Sequence, residues 1–354
     1  MKVLLLFPYP LGRAASQRFR FEQYLDQMRT KGIQINTQAF LHEHAWVLLY
    51  ARGKLLQKVY HFILGFVRRF FLLFSMREYD YVFIHREAAP LGPPFFEWVI
   101  GRVLKKKIIY DFDDAIWLPN ASDSNRFFAF LKFHGNVKRI CKWSYKISCG
   151  NQYLCNYALQ YNASVIYNPT TIDTINLHNR VVDTRKQKPT IGWTGSHSTN
   201  RYLQDMIPVI AELEKEFDFD FLVISDVSPE LPLRSFKFKK WSKETEIDDL
   251  MQMTIGIMPL AEDQWAAGKC GFKALQYMSL GIPALVSPVG VNTIIVDHGI
   301  NGYICNTRAE WIESLRQLLG NPDTLSLMSA NTRKKIESSY SVTSNKANFI
   351  ALFT

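Results

Sequence analysis

Two lysines flank a glycine turn in the run Gly268-Lys269-Cys270-Gly271-Phe272-Lys273. Phe272 to Leu280 has helical spacing, with Leu275, Met278 and Ser279 close to one face. Gly281-Ile282-Pro283 stops that helix, because proline lacks an N–H and restricts the residue before it. Ala284 to Ser287 is then a short apolar run, and Pro288-Val289-Gly290-Val291-Asn292 turns the chain again. A glycine loop that opens a helix offers backbone N–H groups and the positive end of the helix dipole, which together hold anions. Lys269 and Lys273 add fixed positive charge where a departing diphosphate would develop negative charge.

A second loop of this kind runs through Gly192, Thr194, Gly195 and Ser196, after the apolar run Thr190–Trp193 and before a helix at Tyr202. Its small residues let the backbone approach a phosphate, Ser or Thr can cap the helix, and Arg201 is the local cation. The first half offers carboxylates instead. Asp113 and Asp114 come directly after the strand-like run Lys107–Asp111, where they could orient a hydroxyl, act as a base or cap a helix. They superficially match a D-x-D metal signature, but the phosphate loops lie in the other half, so no metal is expected. His85 and Arg86 follow another such run, and Pro10 to Arg20 supplies Ser16, Arg18 and Arg20. The guanidinium groups of Arg18 and Arg20 suit a phosphate or an anionic acceptor.

These residues need elements to position them. Apolar runs alternate with helical segments, the pattern of doubly wound α/β architecture. Strands are predicted at Lys2–Phe7, Tyr81–His85, Lys107–Asp111 and Ser144–Cys149, with another near Ile33–Thr37, and Ser164–Tyr167 leads to the turn Asn168-Pro169. The pattern restarts at Thr190–Trp193, Phe219–Ser225, Phe236–Phe238, Ile255–Pro259, Ala284–Ser287 and Gly302–Cys305. The expected division is a domain over 1–170, a polar linker over 171–189, a second domain over 190–335 and a C-terminal helix within 336–354 packing back toward the first. Ligands of such sheets bind outside the carboxyl ends of the strands.

Bulk properties agree. A chain of 354 residues with 47% hydrophobic content can bury two cores. Its five cysteines are odd in number and lack C-x-x-C pairing, which argues against a disulfide framework or zinc site and for a reducing, cytoplasmic compartment. Met1–Phe7 reads as a buried strand, being too short for a signal peptide. The formal charge of +10 points to anionic lipid or phosphorylated ligands, and no motif supports nucleic-acid recognition. Leu55 to Met76 sets Lys58, Arg68 and Arg69 among Phe, Leu, Val and Ile. Internal charges argue against a spanning helix, so an interfacial helix on the anionic inner face of the plasma membrane is expected. The alternative is a core helix whose arginines snorkel to water.

The stretch from Ala267 to Cys305 resembles the donor-binding half of GT-B glycosyltransferases, specifically the group 1, family 4 retaining enzymes. Their usual pattern places a glutamate before the glycine loop and a second eight positions later. Here Gly268 and Gln276 stand at those places, in the variant form GKCGFK-x-x-QYM-x-x-G-x-P. The resemblance implies two Rossmann-like domains facing each other across a cleft, the first taking a glycan or lipid-linked acceptor and the second a nucleotide-diphospho-sugar. It implies transfer with retention, with no metal or other cofactor, in surface polysaccharide or lipopolysaccharide assembly. By the same resemblance Gln276 would meet ribose or sugar hydroxyls. Gly271, Gly290, Asn292 and Thr293 would lie near sugar and phosphate and Trp241 near the base, while Glu262 or Asp263, in the loop after Ile255–Pro259, could contact sugar hydroxyls. Ser16, His85 and Arg86 would be polar residues on the acceptor side. A GT-B nucleotide-sugar epimerase and a non-catalytic nucleotide-sugar-binding subunit are the alternatives.

Overall fold

The computed structural model describes residues 1–51, 53–119, 135–185 and 187–354. The chain divides into two compact units: Met1–Thr170 with Lys346–Thr354, and Thr171–Asn345. Each is built on a six-stranded, all-parallel sheet. The first contains β1 (Lys2–Phe7), β2 (Gln34–Ala39), β3 (Tyr81–His85), β4 (Lys107–Phe112), β5 (Lys146–Cys149) and β6 (Val165–Tyr167), in the order β2-β1-β3-β4-β5-β6. The second contains β7 (Thr190–Thr194), β8 (Asp220–Ser225), β9 (Phe236–Lys240), β10 (Ile255–Met258), β11 (Ala284–Val286) and β12 (Gly302–Ile304), in the order β12-β11-β10-β7-β8-β9.

Sequence and position agree strand by strand. Helices cover both faces of a parallel sheet, so central strands must be apolar throughout. Accordingly β3 and β7 are buried along their whole length, whereas β2, at an edge, alternates between exposed and half-buried residues. The other sheet's edge strand β9 reads FKFKK, and lysines on an edge discourage pairing with another chain. Strand order reverses between β1 and β3 in the first sheet and between β7 and β10 in the second. Such reversals open a crevice at the carboxyl ends of the strands.

Residues 171–189, expected as a linker, belong to the second unit. Ile172 bridges Ser341, the Val182 amide donates to the Leu280 carbonyl, and Arg333 donates to the carbonyls of Thr174, His178 and Ser279. Their polar composition reflects backbone satisfied by Arg333 rather than freedom from the core. The C-terminal residues complete the first core. Phe349 stacks on Tyr24 with centroids 4.2 Å apart, Phe353 meets Tyr81 and Phe83, and Lys146 Nζ donates to the Ala351 and Thr354 carbonyls.

The helix Leu55–Leu72 corrects the expected placement of its arginines. Gly65 lies so close to Phe40 that a Cβ would be 2.8 Å from the ring. Arg68 donates to the Phe40 carbonyl, and the buried Arg69 donates to the carbonyls of Ala88, Gln38 and Phe7. Both guanidinium groups therefore turn inward. Leu56, Tyr60, Ile63, Val67, Phe71 and Phe74 remain exposed on the other side. Leu55–Glu78 is long and apolar enough to cross a membrane, yet its Arg69 is bonded to the carbonyls of Ala88, Gln38 and Phe7 within the first unit.

Truncating Phe349 to Ala removes a ring from a fully buried aromatic cluster, at a cost of about 3–5 kcal/mol. Calorimetry of Phe349→Ala should show a lowered transition for the first unit and little change in the second.

Candidate functional site

In the second unit the two glycine loops meet at the strand-order reversal. β7 carries Trp193, fully buried, whose indole N–H has no hydrogen-bond partner among the described residues, and ends at Thr194. The following glycine is there for space. A Cβ on Gly195 would stand 2.2 Å from the Trp193 ring and 2.7 Å from Thr199 Oγ1. Gly192 is under the same constraint from Met253, again at 2.2 Å. The chain then caps itself, the Ser196 amide donating to Thr199 Oγ1 at 3.2 Å.

The helix Phe272–Ser279 is tied to this strand twice. The Thr194 amide donates to Tyr277 Oη at 2.9 Å, and Lys273 Nζ lies 4.5 Å from the centre of the Trp193 ring. Gly271 opens the helix with φ +67, where a Cβ would be 2.2 Å from Ile295 Cδ1. Gly271 has no side chain with which to cap the first turn, whose N–H groups carry the polarity that favours anions. Gly290, at φ +57, brings the next loop against the Ala267 backbone, a Cβ there falling 2.9 Å from its carbonyl oxygen.

Lys273 is the electrostatic centre of this arrangement. It is half-buried, and among the described residues it makes no ion pair. Burial, and then the charge of Lys269, push its ammonium down to about 7. A cation held in this way gains from an anion that replaces the lost water.

The remaining predicted donor residues are less uniform. Arg201 is exposed, lies 5.0 Å over the Tyr202 ring and feels the Asp263 charge. Glu262 is exposed, while Asp263 caps the helix Gln264–Ala267 through the Ala266 amide. Trp241 is half-buried, its amide donating to the Ser225 carbonyl. Two side chains turn inward instead of toward a ligand. Gln276 is 2% exposed and donates to Glu246 Oε1 at 3.4 Å; Asn292 is 1% exposed and donates to the Ser287 carbonyl. Thr293 is exposed and donates to the Gly290 carbonyl. The pair His197–Asp226, joined by two contacts of 2.6 Å beside the Ser196 loop, carried no motif that would mark it in the sequence.

The first unit gathers its polar residues at the carboxyl ends of β1, β3 and β4. Asp111, absent from the predicted set, is their hub. It is fully buried and accepts from Arg20 Nη2 at 2.5 Å, from Ser148 Oγ at 2.6 Å and faces His85 Nδ1 at 2.8 Å. Burial opposes its ionisation, but Arg20 and His85 hold the carboxyl well below the usual range. Arg20 also donates to the Asn168 carbonyl and Ser148, so this buried arginine is spent on the fold and does not reach a phosphate. Arg18 is 9% exposed and lies over the Phe19 ring.

Above this layer His85 Nε2 meets Ser16 Oγ at 2.8 Å. Arg86 sits at φ +62, a left-handed conformation that is uncommon for a residue with a side chain and clusters at functional sites. Its guanidinium reaches Asp113 at 2.7 Å and Asp114 at 2.5 Å, and all three side chains are partly exposed. Burial works against the Arg86 charge, but the two carboxylates outweigh it and raise its pKa far above the ordinary value. Asp113 and Asp114 lie in a turn, not at the start of a helix.

Residues 188–321 match the family described as Glycosyl transferases group 1. That match lies wholly within the second unit. The fold of the whole chain is similar to that of a sucrose-phosphate synthase from Thermosynechococcus elongatus, at 12% identity and a TM-score of 0.71, covering 100% of this chain and 98% of that one. It is similar to Anabaena HepE in complex with UDP-glucose, at 12% identity and a TM-score of 0.66, covering 99% of each chain. It is also similar to the lipopolysaccharide outer core galactosyltransferase WaaB, at 11% identity and 0.63, again over 99% of each. No curated protein matches. The chain thus has the GT-B glycosyltransferase fold.

The sign of the Lys273 effect on stability follows from its lowered pKa. The unfolded chain, with lysine near 10.5, binds more protons than the folded one between about pH 7 and 10.5, so stability should rise with pH across that window. Thermal melts of the wild type should show this rise, and Lys273→Met should flatten it.

Proposed function

We propose that this glycosyltransferase moves a sugar from a nucleotide-diphospho-sugar to a glycan or lipid-linked acceptor with retention. The reading is carried by Lys273: a half-buried cation beside Lys269, without an ion pair among the described residues, in the first turn of a helix opened by Gly271 and within the stretch that matches the group 1 family. Lys269, Lys273 and the loop N–H groups would stabilise the departing diphosphate by charge already in place, with no metal required. Gly192, Thr194, Gly195 and Ser196 would let the backbone approach it, with Arg201 and Glu262 at the rim and Trp241 toward the base. The inward turn of Gln276 and Asn292 leaves their proposed contacts to neighbouring backbone. The HepE complex with UDP-glucose supports a sugar nucleotide, and WaaB, a galactosyltransferase of the lipopolysaccharide outer core, supports a role in surface polysaccharide assembly.

In the first unit Asp113, Asp114, Arg86 and Ser16 would hold acceptor hydroxyls. This charge pattern, two partly exposed carboxylates against one guanidinium, suits a neutral sugar better than a phosphate. A cytoplasmic protein resting on the inner face of the plasma membrane remains our reading of the helix Leu55–Leu72, on a changed basis. Since Arg68 and Arg69 face inward, its contact with lipid would rest on Phe70, Phe71, Phe74 and Ile63, with headgroup attraction secondary.

A thermal-shift panel of UDP-, GDP-, ADP- and dTDP-sugars should show stabilisation by at least one. Lys269→Ala with Lys273→Ala should abolish most of that response, and an unchanged shift in the double variant would refute the diphosphate assignment. Binding to anionic liposomes should fall at least tenfold in Phe70→Ser/Phe71→Ser/Phe74→Ser and change little between low and high salt. Binding that vanishes in high salt would contradict the apolar contact.

A further inference from the structure

The turn that carries Asp113 and Asp114 also carries Trp117, and none of the roles given above uses that indole. Ala115, fully buried, pins the turn. Two backbone bonds close it: the Ile116 amide donates to the Asp114 carbonyl at 2.8 Å and the Leu118 amide to the Ala115 carbonyl at 2.9 Å. Trp117 is thereby brought to the helix Gln152–Leu159, which Asn151 caps by accepting from the Leu154 amide at 2.8 Å. Leu154, Cys155 and Ala158 bury one side of that helix, and Tyr153 and Tyr157, four residues apart, share another. Trp117 lies parallel to Tyr157, with ring centres 3.6 Å apart and planes within 2°, and is stacked with Tyr153 at 5.9 Å. Phe112 meets the indole edge-on at 6.2 Å, and Tyr161 continues the row from Tyr157 at 5.3 Å. Trp117, Tyr153, Tyr157 and Tyr161 are all partly exposed, so the rings are fixed by one another and still meet water.

Asp114 is three residues from Trp117, a span of at most about 11 Å. With Asp113 and Arg86 it forms a partly exposed, ion-paired fork, and all of these groups belong to the first unit. An occupant that suits both the rings and the fork has a flat C–H face and an edge of hydroxyls. A pyranose ring has both. Its axial C–H bonds carry partial positive charge, which the negative face of an aromatic ring attracts, and its hydroxyls donate to carboxylates and accept from a guanidinium. A lipid chain would leave the carboxylates unanswered. A nucleotide base would stack equally well, but its phosphates would face two carboxylates against one guanidinium. We propose that Trp117, stacked with Tyr153 and Tyr157, is the platform on which a sugar ring of the acceptor lies. This rests on the acceptor reading of Asp113 and Asp114 above and narrows it: the first unit recognises a saccharide ring, whether or not a lipid is attached. Trp117 binds and orients; it takes no part in bond making.

The test is NMR on the full chain with uncharged probes: methyl β-D-glucopyranoside, methyl β-D-galactopyranoside, methyl α-D-mannopyranoside and, for comparison, adenosine. At least one glycoside should shift the Trp117 indole N–H resonance, assigned through Trp117→Phe, and show saturation transfer strongest at its ring C–H protons. Trp117→Tyr keeps an aromatic face and should retain that binding within about twofold, whereas Trp117→Leu keeps bulk without the face and should weaken it about fivefold. An indole resonance that no glycoside moves would overturn the platform, and where Trp117→Leu melts early this wild-type measurement decides alone. Binding indifferent to Trp117→Leu, or adenosine moving the resonance further than every glycoside, would overturn it too. The hydroxyl reading is judged by Asp113→Asn/Asp114→Asn. Binding lost there but kept in Trp117→Leu removes the platform and leaves that reading standing; binding lost in Trp117→Leu alone does the reverse.

Discussion

The buried ion pair between Asp111 and Arg20 is the contact on which the first unit's site depends. It joins the end of β4 to the helix Ala15–Arg20, and through Ser148 and the Asn168 carbonyl it reaches β5 and the chain beyond β6. Two buried charges are costly unless every hydrogen-bonding position is used, and here nearly every one is. The result is geometric. His85 is held in one ring orientation, Ser16 is held against it, and the strained Arg86 backbone follows directly from the strand that carries His85. Removing either partner would leave an uncompensated charge under all of these groups.

The second unit solves a different problem. Among the described residues no carboxylate pairs with Lys273, which lies at the edge of a packed indole and beside another lysine. Glycines at 192, 195, 271 and 290 let backbone and rings approach closely enough to make this compact. The first unit's buried charges are thus paired, whereas Lys273 in the second makes no ion pair among the described residues.

The fold was legible because central parallel strands are apolar on both sides. Lys2–Phe7 and Tyr81–His85 stand out as runs, and their observed bounds follow the apolar boundary. The glycine turns at 271 and 281 were legible for a related reason, since both need a positive φ that other residues resist. Side-chain direction was not. Arg68 and Arg69 look like lipid-facing charges in a basic, apolar helix, yet they turn inward to donate to the carbonyls of Gln38, Phe7 and Phe40. Arg20 looks like a phosphate ligand until Asp111, 91 residues away, claims it. Gln276 turns to Glu246 across 30 residues. In each case the deciding partner is distant in sequence, and composition carries no trace of it.

The seating of Phe349 and Phe353 among Tyr24, Tyr81 and Phe83 has a consequence for biogenesis. During translation, the amino-terminal sheet emerges early but lacks its final aromatic plug until residues 346–354 leave the ribosome. The middle of the polypeptide can mature first, while the earliest-made portion waits with an open hydrophobic seam that chaperones or a nearby bilayer would have to shelter.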